Sequence, residues 1–374
     1  MKEERKSNFE LLRIISMLMI ITWHIIVHGN VLANTQNPIL YFLVEILKFI
    51  IIIHVNLFVL ITGYFNCKSK FKLKKSLKLV LESVFYYLAI CIIFQKIGLV
   101  KFSTADWIRN IFVNSYQDYW FLSNYIVLYF LSPYINKFIN NSTQKEHKRL
   151  LLIMLILFSM IPYLTGNKES GSIFSNNGYT LYNFTFLYII GAYFRLYPLK
   201  NSYHFKKMST KKYRIVLILI CFCSMITNYL LYKTSFDLSK ISNSFNEVFE
   251  NFNIESTNYE NPFIILQAVS FFLFFETLNI KNSKIINRIA STTLGIYMIH
   301  DNTLIRGNIY RWLKINNGPI YSTSFIFYIL LSAIIIFAVC MIIDFIRQFL
   351  VFIIKKTTLY KWLRSKISNA LNDF

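Results

Sequence analysis

The sequence alternates between long apolar segments and short basic stretches, and this alternation restricts the fold more than any other feature. An α-helix rises 1.5 Å per residue, so about twenty apolar residues cross the roughly 30 Å hydrocarbon core of a bilayer. Of the 374 residues, 55% are hydrophobic, a share typical of a membrane protein. We therefore predict an all-α fold, a polytopic membrane helix bundle that forms a single domain over residues 1–374. Its ten transmembrane segments are expected near Phe9–Val27, Ile39–Phe65, Ser76–Gly98, Tyr119–Phe138, Leu150–Thr165, Leu181–Phe194, Ile215–Tyr232, Pro262–Leu278, Ile289–Ile305 and Tyr321–Ile354.

The distribution of basic residues predicts the orientation of this bundle. Alternate loops on one side carry 29 Lys and Arg residues and those on the other side carry 9, while Arg13 and Lys48 lie inside segments. Cytoplasmic loops of membrane proteins are enriched in Lys and Arg. The richer side is therefore expected to be cytoplasmic, with both termini there. We expect a multi-pass protein of the bacterial inner, or plasma, membrane.

Composition also argues against two other classes of protein. The net charge of +22 does not indicate nucleic-acid binding, because the basic residues are spread between apolar runs and form no single stripe. The cysteines lack the paired spacing of a zinc site or a disulfide framework, so we interpret them as small core residues. They are Cys67, Cys91, Cys221, Cys223 and Cys340.

Two segments outside the predicted helices have a composition of their own. The longest outer loop, Lys233–Asn261, is rich in acidic, Ser, Asn and Tyr residues and is expected to be exposed, where it can touch a substrate. The stretch Lys355–Lys366 mixes bases with aromatic residues and is expected to lie on the anionic inner leaflet.

The first predicted helix carries the densest set of polar groups at membrane depth. Arg13 and His24 are eleven residues apart, about three turns, so they share one face and lie about 16 Å apart along the axis. Arg13, near the cytoplasmic boundary, can bind a phosphate or carboxylate, and His24, near the outer one, can act as a general base. The structural alternatives are that Arg13 reaches the lipid headgroups and that His24 hydrogen-bonds within the bundle. Glu10 lies on the same helix, one turn before Arg13.

His28 follows His24 by one helical turn, a spacing that two metal ligands can have. No carboxylate or third ligand lies near this pair in the sequence. We therefore predict no metal site and place His28 at the membrane interface.

Other predicted segments also contain polar groups. Glu45 and Lys48 are one turn apart and are expected to neutralise each other. His54 and His300 lie in otherwise apolar segments, where an unused imidazole carries a cost, so each is either a ligand-binding group or a packing partner. Carboxylates at membrane depth are also present at Glu276, Asp301 and Asp344.

Four motifs are spread along the chain between residue 8 and residue 300. They are Asn8-Phe9-Glu10-Leu11-Leu12-Arg13 followed by His24, the run Val55–Phe65 with Thr62-Gly63-Tyr64, Tyr119-Trp120-Phe121-Leu122 continuing to Ser132-Pro133, and Thr293–His300 with Gly295-Ile296-Tyr297. Taken together and in this order, they resemble the motifs of the acyltransferase-3 family of integral-membrane acyltransferases.

The resemblance implies a ten-helix core, His24 as the catalytic histidine and Arg13 as its essential partner. It also implies an acyl-CoA donor, most often acetyl-CoA, that arrives from the cytoplasm, and O-acetylation of a polysaccharide or other cell-envelope glycan. Two departures are visible: Thr62 replaces the usual serine, and lysines stand where many members have arginines after the second helix. Lysine binds phosphate as a point charge without a planar fork. These lysines are Lys68, Lys70, Lys72, Lys74 and Lys75.

The residues and the resemblance together predict a membrane acyltransferase with no permanently bound cofactor. The CoA phosphates are expected to bind Arg13 and the lysines at 68–75, and His24 is expected to take a proton from a hydroxyl of a glycan or lipid-linked saccharide. The oxyanion donor is left open between Asn56, Tyr125 and a backbone N–H. Further candidate site residues are Glu10, His54, Trp120 and His300.

Other functions remain open at this point. A transporter or flippase of a lipid-linked glycan also uses charged residues in its spans, but such proteins commonly contain repeats, and none is visible here. A glycan polymerase is the other alternative, although its large outer loops are absent from this sequence.

Overall fold

The computed structural model describes residues 5–111, 119–165, 177–241, 257–315 and 317–357, and the regular structure in these ranges is helical. This confirms the all-α prediction. The helices are α1 Ser7–His28, α2 Val31–Asn34, α3 Pro38–Ile51, α4 His54–Asn66, α5 Leu73–Lys96, α6 Thr104–Ile111, α7 Trp120–Asn141, α8 Gln144–Leu155, α9 Ile161–Thr165, α10 Leu181–Leu196, α11 Tyr203–Lys206, α12 Thr210–Ile241, α13 Pro262–Glu276, α14 Lys284–Ala290, α15 Thr293–His300, α16 Thr303–Trp312 and α17 Phe325–Ile354.

Six helical segments within the described ranges are long and apolar enough to cross a membrane. They carry exposed large hydrophobic side chains, such as Leu81 and Leu331, which are 68% and 53% exposed. Such exposure suits contact with lipid, since a soluble protein rarely exposes contiguous apolar surface on this scale. The total of ten spans and the orientation stay predictions. The six segments are Ser7–His28, Pro38–Asn66, Leu73–Lys96, Gln144–Leu164, Thr210–Thr234 and Phe325–Ile354.

Two predicted segments are interrupted. The segment Ile39–Phe65 contains α3 and α4, which are separated by a turn at Ile52 and Ile53. The backbone ladder continues through this turn, because the N–H of Ile52 still donates to the carbonyl of Lys48 at 3.0 Å. The interruption is therefore a local bend within one membrane segment.

The segment Ile289–Ile305 is not one helix, so its assignment as a single continuous span is wrong. It contains the end of α14, all of α15 and the start of α16. Polar residues at the two junctions bind the backbone locally: Thr292 Oγ1 donates to the carbonyl of Ile289 at 2.7 Å, and Asn302 Oδ1 accepts from the N–H of Leu304 at 3.1 Å. Such bonds compete with helix continuation.

The predicted outer loop Lys233–Asn261 is partly helical, because α12 continues to Ile241. Residues 242–256 lie outside the described ranges. Of the predicted surface segment Lys355–Lys366, the structure describes only Lys355, Lys356 and Thr357.

Helix α1 occupies the centre of the bundle and contacts α3, α4, α14 and α17. Its N-terminal half, with Phe9 and Leu12, belongs to one hydrophobic cluster, and its C-terminal half, with Ile21 and Ile25, belongs to a second. All four side chains are at most 1% exposed. Protein therefore surrounds much of α1, and this helix places the candidate site.

Glycines allow α4 and α10 to pack closely. A Cβ on Gly63 would collide with the carbonyl oxygen of Tyr188, and one on Gly191 would collide with that of Leu60. Each contact involves backbone, which cannot rotate away as a side chain can. The two helices therefore approach closely only because both positions lack a side chain.

Glu45 pairs with a residue that the sequence did not indicate. Its carboxylate lies 2.8 Å from the ammonium of Lys233 on α12. Lys48 instead lies over the indole of Trp23, 5.4 Å from the ring centroid. A tertiary contact thus supplies the direct ion pair of Glu45, while Lys48 still lies within its electrostatic influence.

Asp344 belongs to a buried ionic cluster between α5 and α17. Arg347 lies 2.8 Å from Asp344 and 2.6 Å from Glu82, and the hydroxyl of Tyr86 also donates to Asp344. Buried charges persist when they are paired and hydrogen-bonded in this way. Asp344 thus has a structural explanation within the bundle.

Candidate active site

A cavity of about 820 Å³ lies beside α1. Its lining includes both Arg13 and His24, so it extends about 16 Å along the helix axis. Lys75 of α5 also lines it, as do Asp301, which directly follows α15, and Arg306 of α16. A volume of this order accommodates a substrate of several hundred daltons.

The imidazole of His24 is linked to α15 through that of His300. Nδ1 of His300 lies 2.7 Å from the carbonyl oxygen of Ile296, and since a carbonyl only accepts, this nitrogen carries the proton. Nε2 of a neutral His300 is then an acceptor, and it accepts from Nδ1 of His24 at 3.2 Å. Nε2 of His24 is left with its lone pair, which is the form that a general base needs.

Asp301 lies beside the same nitrogen of His24. Its Oδ1 is 3.5 Å from His24 Nδ1 and 3.1 Å from Nη1 of Arg306. The Asp301 side chain is 3% exposed, so its charge is poorly screened by water. A positive charge that forms on His24 during proton transfer is therefore stabilised by a nearby carboxylate, which Arg306 holds in position.

The break between α15 and α16 places this carboxylate. The N–H of Asp301 donates to the carbonyl of Tyr297 at 3.2 Å and ends α15, and the side chain of Asn302 begins α16. Tyr119 fixes the junction from α7, because its hydroxyl donates to the carbonyl of Met298 at 2.7 Å and accepts from Asn302 Nδ2 at 3.1 Å. A continuous helix through these residues would aim Asp301 elsewhere.

Arg13 forms an ion pair with Glu10 on its own helix. Nη1 lies 3.0 Å from Oε1 of Glu10 and 3.2 Å from Oε2. Both contacts with Glu10 are made by Nη1, which is one of the three nitrogens that share the five N–H donors of a guanidinium. Arg13 is 32% exposed and lines the cavity, so it can bind an anion while Glu10 holds it. Glu10 itself lies outside the cavity lining.

The five candidate lysines divide into two groups. Lys75 lines the cavity, with its ammonium 4.9 Å from the ring centroid of Tyr129 and 3.4 Å from Asn66 Oδ1. The other four are exposed and do not line it: Lys68, Lys70, Lys72 and Lys74.

The aromatic candidates lie together on the cavity wall. Trp120 and Tyr125 both line it, and Trp120 packs edge-on against Tyr179 at 4.4 Å. His54 also lines the cavity and is 1% exposed, and among the described residues neither of its ring nitrogens has a hydrogen-bond partner. Asn56 lies outside the lining, and its amide nitrogen donates to the carbonyl of Tyr259 at 2.9 Å.

Asp301 and Arg306 are the site residues that the sequence reasoning did not select. Asp301 was visible as a carboxylate in an apolar segment directly after His300, and that was the only signal. Its approach to His24 joins residues 277 positions apart. Asp301 also supplies the carboxylate that the His24–His28 pair lacked, because one ligand atom from each of the three residues lies within 4.8 Å of the others.

No curated protein and no solved structure matches the chain significantly. The family model Acyl_transf_3, described as an acyltransferase domain, matches residues 6–345. The match includes α1 with Arg13 and His24 and extends into α17, so it spans all elements that line the cavity. The chain belongs to the acyltransferase-3 family of membrane acyltransferases.

Proposed function

We propose that this membrane acyltransferase transfers an acyl group, most simply acetyl, from cytoplasmic acyl-CoA to a hydroxyl of a cell-envelope glycan or lipid-linked saccharide. The observation that carries the proposal is the single cavity lined by both Arg13 and His24. Arg13 is suited to an anionic donor and His24 to activation of a hydroxyl, and one cavity allows both substrates to meet.

The donor enters from the basic side of the protein. Arg13 and Lys75 bind the phosphates of acyl-CoA at the cavity, since guanidinium and ammonium groups form charge-assisted bonds to phosphate. The exposed lysines at 68, 70, 72 and 74 attract the donor to this entrance. The 29-to-9 distribution of basic residues supports a cytoplasmic position for it.

The reaction begins when Nε2 of His24 takes the proton of the acceptor hydroxyl. The oxygen attacks the thioester carbonyl, and Asp301 stabilises the imidazolium that forms. A donor such as Tyr125, which lines the cavity, or a backbone N–H stabilises the oxyanion. The C–S bond then breaks, and the imidazolium returns its proton to the CoA thiolate. The products are the O-acyl ester and free CoA.

The test follows radiolabelled acetyl from acetyl-CoA into the envelope glycan fraction of membranes that contain the protein. We expect His24→Gln to lower the rate by roughly the 10²–10⁴ that general-base catalysis contributes, with normal amounts of inserted protein. Glutamine keeps the hydrogen-bonding capacity but accepts no proton at neutral pH. His147→Gln is the matched control, because His147 is a buried imidazole outside the cavity lining.

A His24→Gln variant with the normal rate would remove the proposed base. Movement of a glycan across the membrane without release of CoA would instead favour a flippase. Mass spectrometry of envelope glycans from cells with and without the gene identifies the acyl group and its carrier.

A further inference from the structure

We infer that His24, His28 and Asp301 form a binding site for a divalent transition-metal ion, with Zn²⁺ as the best fit, and that this ion inhibits the enzyme. The inhibitory part of this inference rests on the proposed role of His24. A nitrogen of each histidine and an oxygen of Asp301 lie within 4.8 Å of one another. Imidazole and carboxylate are ordinary zinc ligands.

The distances around His24 fit a shared ion. Ligand atoms that bind tetrahedral Zn²⁺ at about 2.0–2.1 Å lie roughly 3.3–3.4 Å from each other. His24 Nδ1 is 3.5 Å from Asp301 Oδ1 and 3.2 Å from His300 Nε2. Only small movements therefore bring His24 and Asp301 around one ion. His300 lies outside the group of three and needs a larger movement to become the fourth ligand.

The surrounding bonds resemble those of a metal site. A metal-binding histidine usually donates its second ring N–H to a carbonyl or carboxylate, and a metal-binding carboxylate is itself hydrogen-bonded. Nδ1 of His300 donates to the carbonyl of Ile296 at 2.7 Å, which leaves Nε2 ready to bind. Arg306 holds the Asp301 carboxylate at 3.1 Å.

The site is accessible from one side. His28 is exposed, and the side chain of His24 is 15% exposed, so an ion enters past His28. The positive charge of Arg306 opposes a cation. Because Arg306 also holds the Asp301 carboxylate, its charge stays beside the ion. We therefore expect weaker binding than in a structural zinc site, as suits a reversible inhibitor.

Metal binding and catalysis exclude each other at His24. An ion on Nδ1 displaces the proton that His24 donates to His300. A neutral imidazole bound to metal through Nδ1 carries its proton on Nε2, the nitrogen that must accept the proton of the substrate hydroxyl. One proton leaves Nδ1 for solvent and one reaches Nε2, so none is released overall, and the enzyme has no free base until the ion leaves.

Direct binding is measured on protein purified in detergent without a polyhistidine tag. Calorimetric titration with Zn²⁺ should show one site per chain, and Co²⁺ should give the visible spectrum of a tetrahedral complex. We expect His28→Ala to weaken binding by more than the roughly 10–100-fold lost when a hydrogen-bonding partner of a metal ligand is removed. His147→Ala should bind as the wild type does.

A second variant, His28→Phe, guards against a folding defect, because it keeps a ring facing Tyr310, whose centroid is 6.5 Å away. The site is refuted if the wild type binds no metal, or if both His28 variants bind as tightly as the wild type.

The activity measurement then separates the two proposals. Zn²⁺ should inhibit acyl transfer by the wild type, while His28→Ala keeps its basal rate and resists inhibition. Equal inhibition of both proteins would overturn the regulatory role. Metal binding that depends on His28 in a protein that never transfers acetyl would keep the site and remove the proposed function.

Discussion

At the scale of single residues, the two nitrogens of His24 have different environments. Nδ1 lies beside His300 and Asp301, which leaves the lone pair on Nε2 for a substrate in the cavity. The tautomer is thus decided by the carbonyl of Ile296 through His300. The carboxylate of Asp301 beside Nδ1 favours proton uptake at Nε2.

Asp301→Asn tests this arrangement, since asparagine keeps the size of the side chain and removes its charge. A charge pair about 4 Å apart contributes about 4 kcal/mol at an effective dielectric constant of 20. We expect the turnover rate to fall at least tenfold, with an unchanged KM for acyl-CoA. Steady-state kinetics of membrane-bound protein measures both, and a rise in KM alone would assign Asp301 to substrate binding.

Arg13→Lys tests the anion-binding residue, because lysine keeps the charge but loses the planar fork. Without this fork, lysine cannot bind Glu10 and a phosphate in the same geometry. We expect a KM for acyl-CoA raised roughly tenfold, with the protein still inserted. An unchanged KM would exclude Arg13 from the donor site.

At the scale of helices, two glycines allow a close contact between α4 and α10. Helix α4 carries Thr62 and His54 of the cavity wall, so its position affects the shape of the site. Gly63 and Gly191 permit the approach because backbone atoms of the partner helix occupy the space that a Cβ would need.

Gly191→Ala should therefore lower thermal stability, because the helices must separate to admit the methyl group. Overpacking of this kind costs about 1–3 kcal/mol. Gly307→Ala on α16 is the matched control. Apart from the backbone of its own helix and its chain neighbours, no atom of the described residues lies within 4 Å of its added Cβ, and alanine in a helix is favoured by up to ~1 kcal/mol. Unfolding temperatures in detergent compare the two, and equal stability of Gly191→Ala and the wild type would contradict the close contact.

At the scale of the whole molecule, function depends on which cavity entrance faces the cytoplasm. The basic residues predict that 200–212 lies inside and that 233–261 lies outside. Helix α12 begins in the first of these stretches and ends in the second, consistent with a crossing between them.

Cysteine labelling of intact cells tests this orientation. An impermeant reagent should label Asn258→Cys but not Tyr203→Cys, although Tyr203 is 84% exposed to solvent in the protein. Both substitutions are made in a background without the native cysteines. Labelling of Tyr203→Cys in intact cells would reverse the orientation or change the number of spans.

The sequence by itself determined the helical class, the family and the shared face of Arg13 and His24. These depend on local quantities: apolar length, motif order, and the 100° rotation per residue of a helix. The same reason explains how four site residues could be selected, since an unusual polar or aromatic group can be recognised within a single apolar segment. They are His24, His54, Trp120 and Tyr125.

Only the tertiary structure decided which of these residues meet. Sequence spacing predicted that Glu45 pairs with Lys48, yet its partner is Lys233 on a distant helix. The sequence likewise showed no carboxylate close to His24 and His28. The break in the helix after His300 brings the carboxylate of Asp301 to them. Partner choice in a bundle depends on helix packing and on where each helix ends, and a local pattern contains neither.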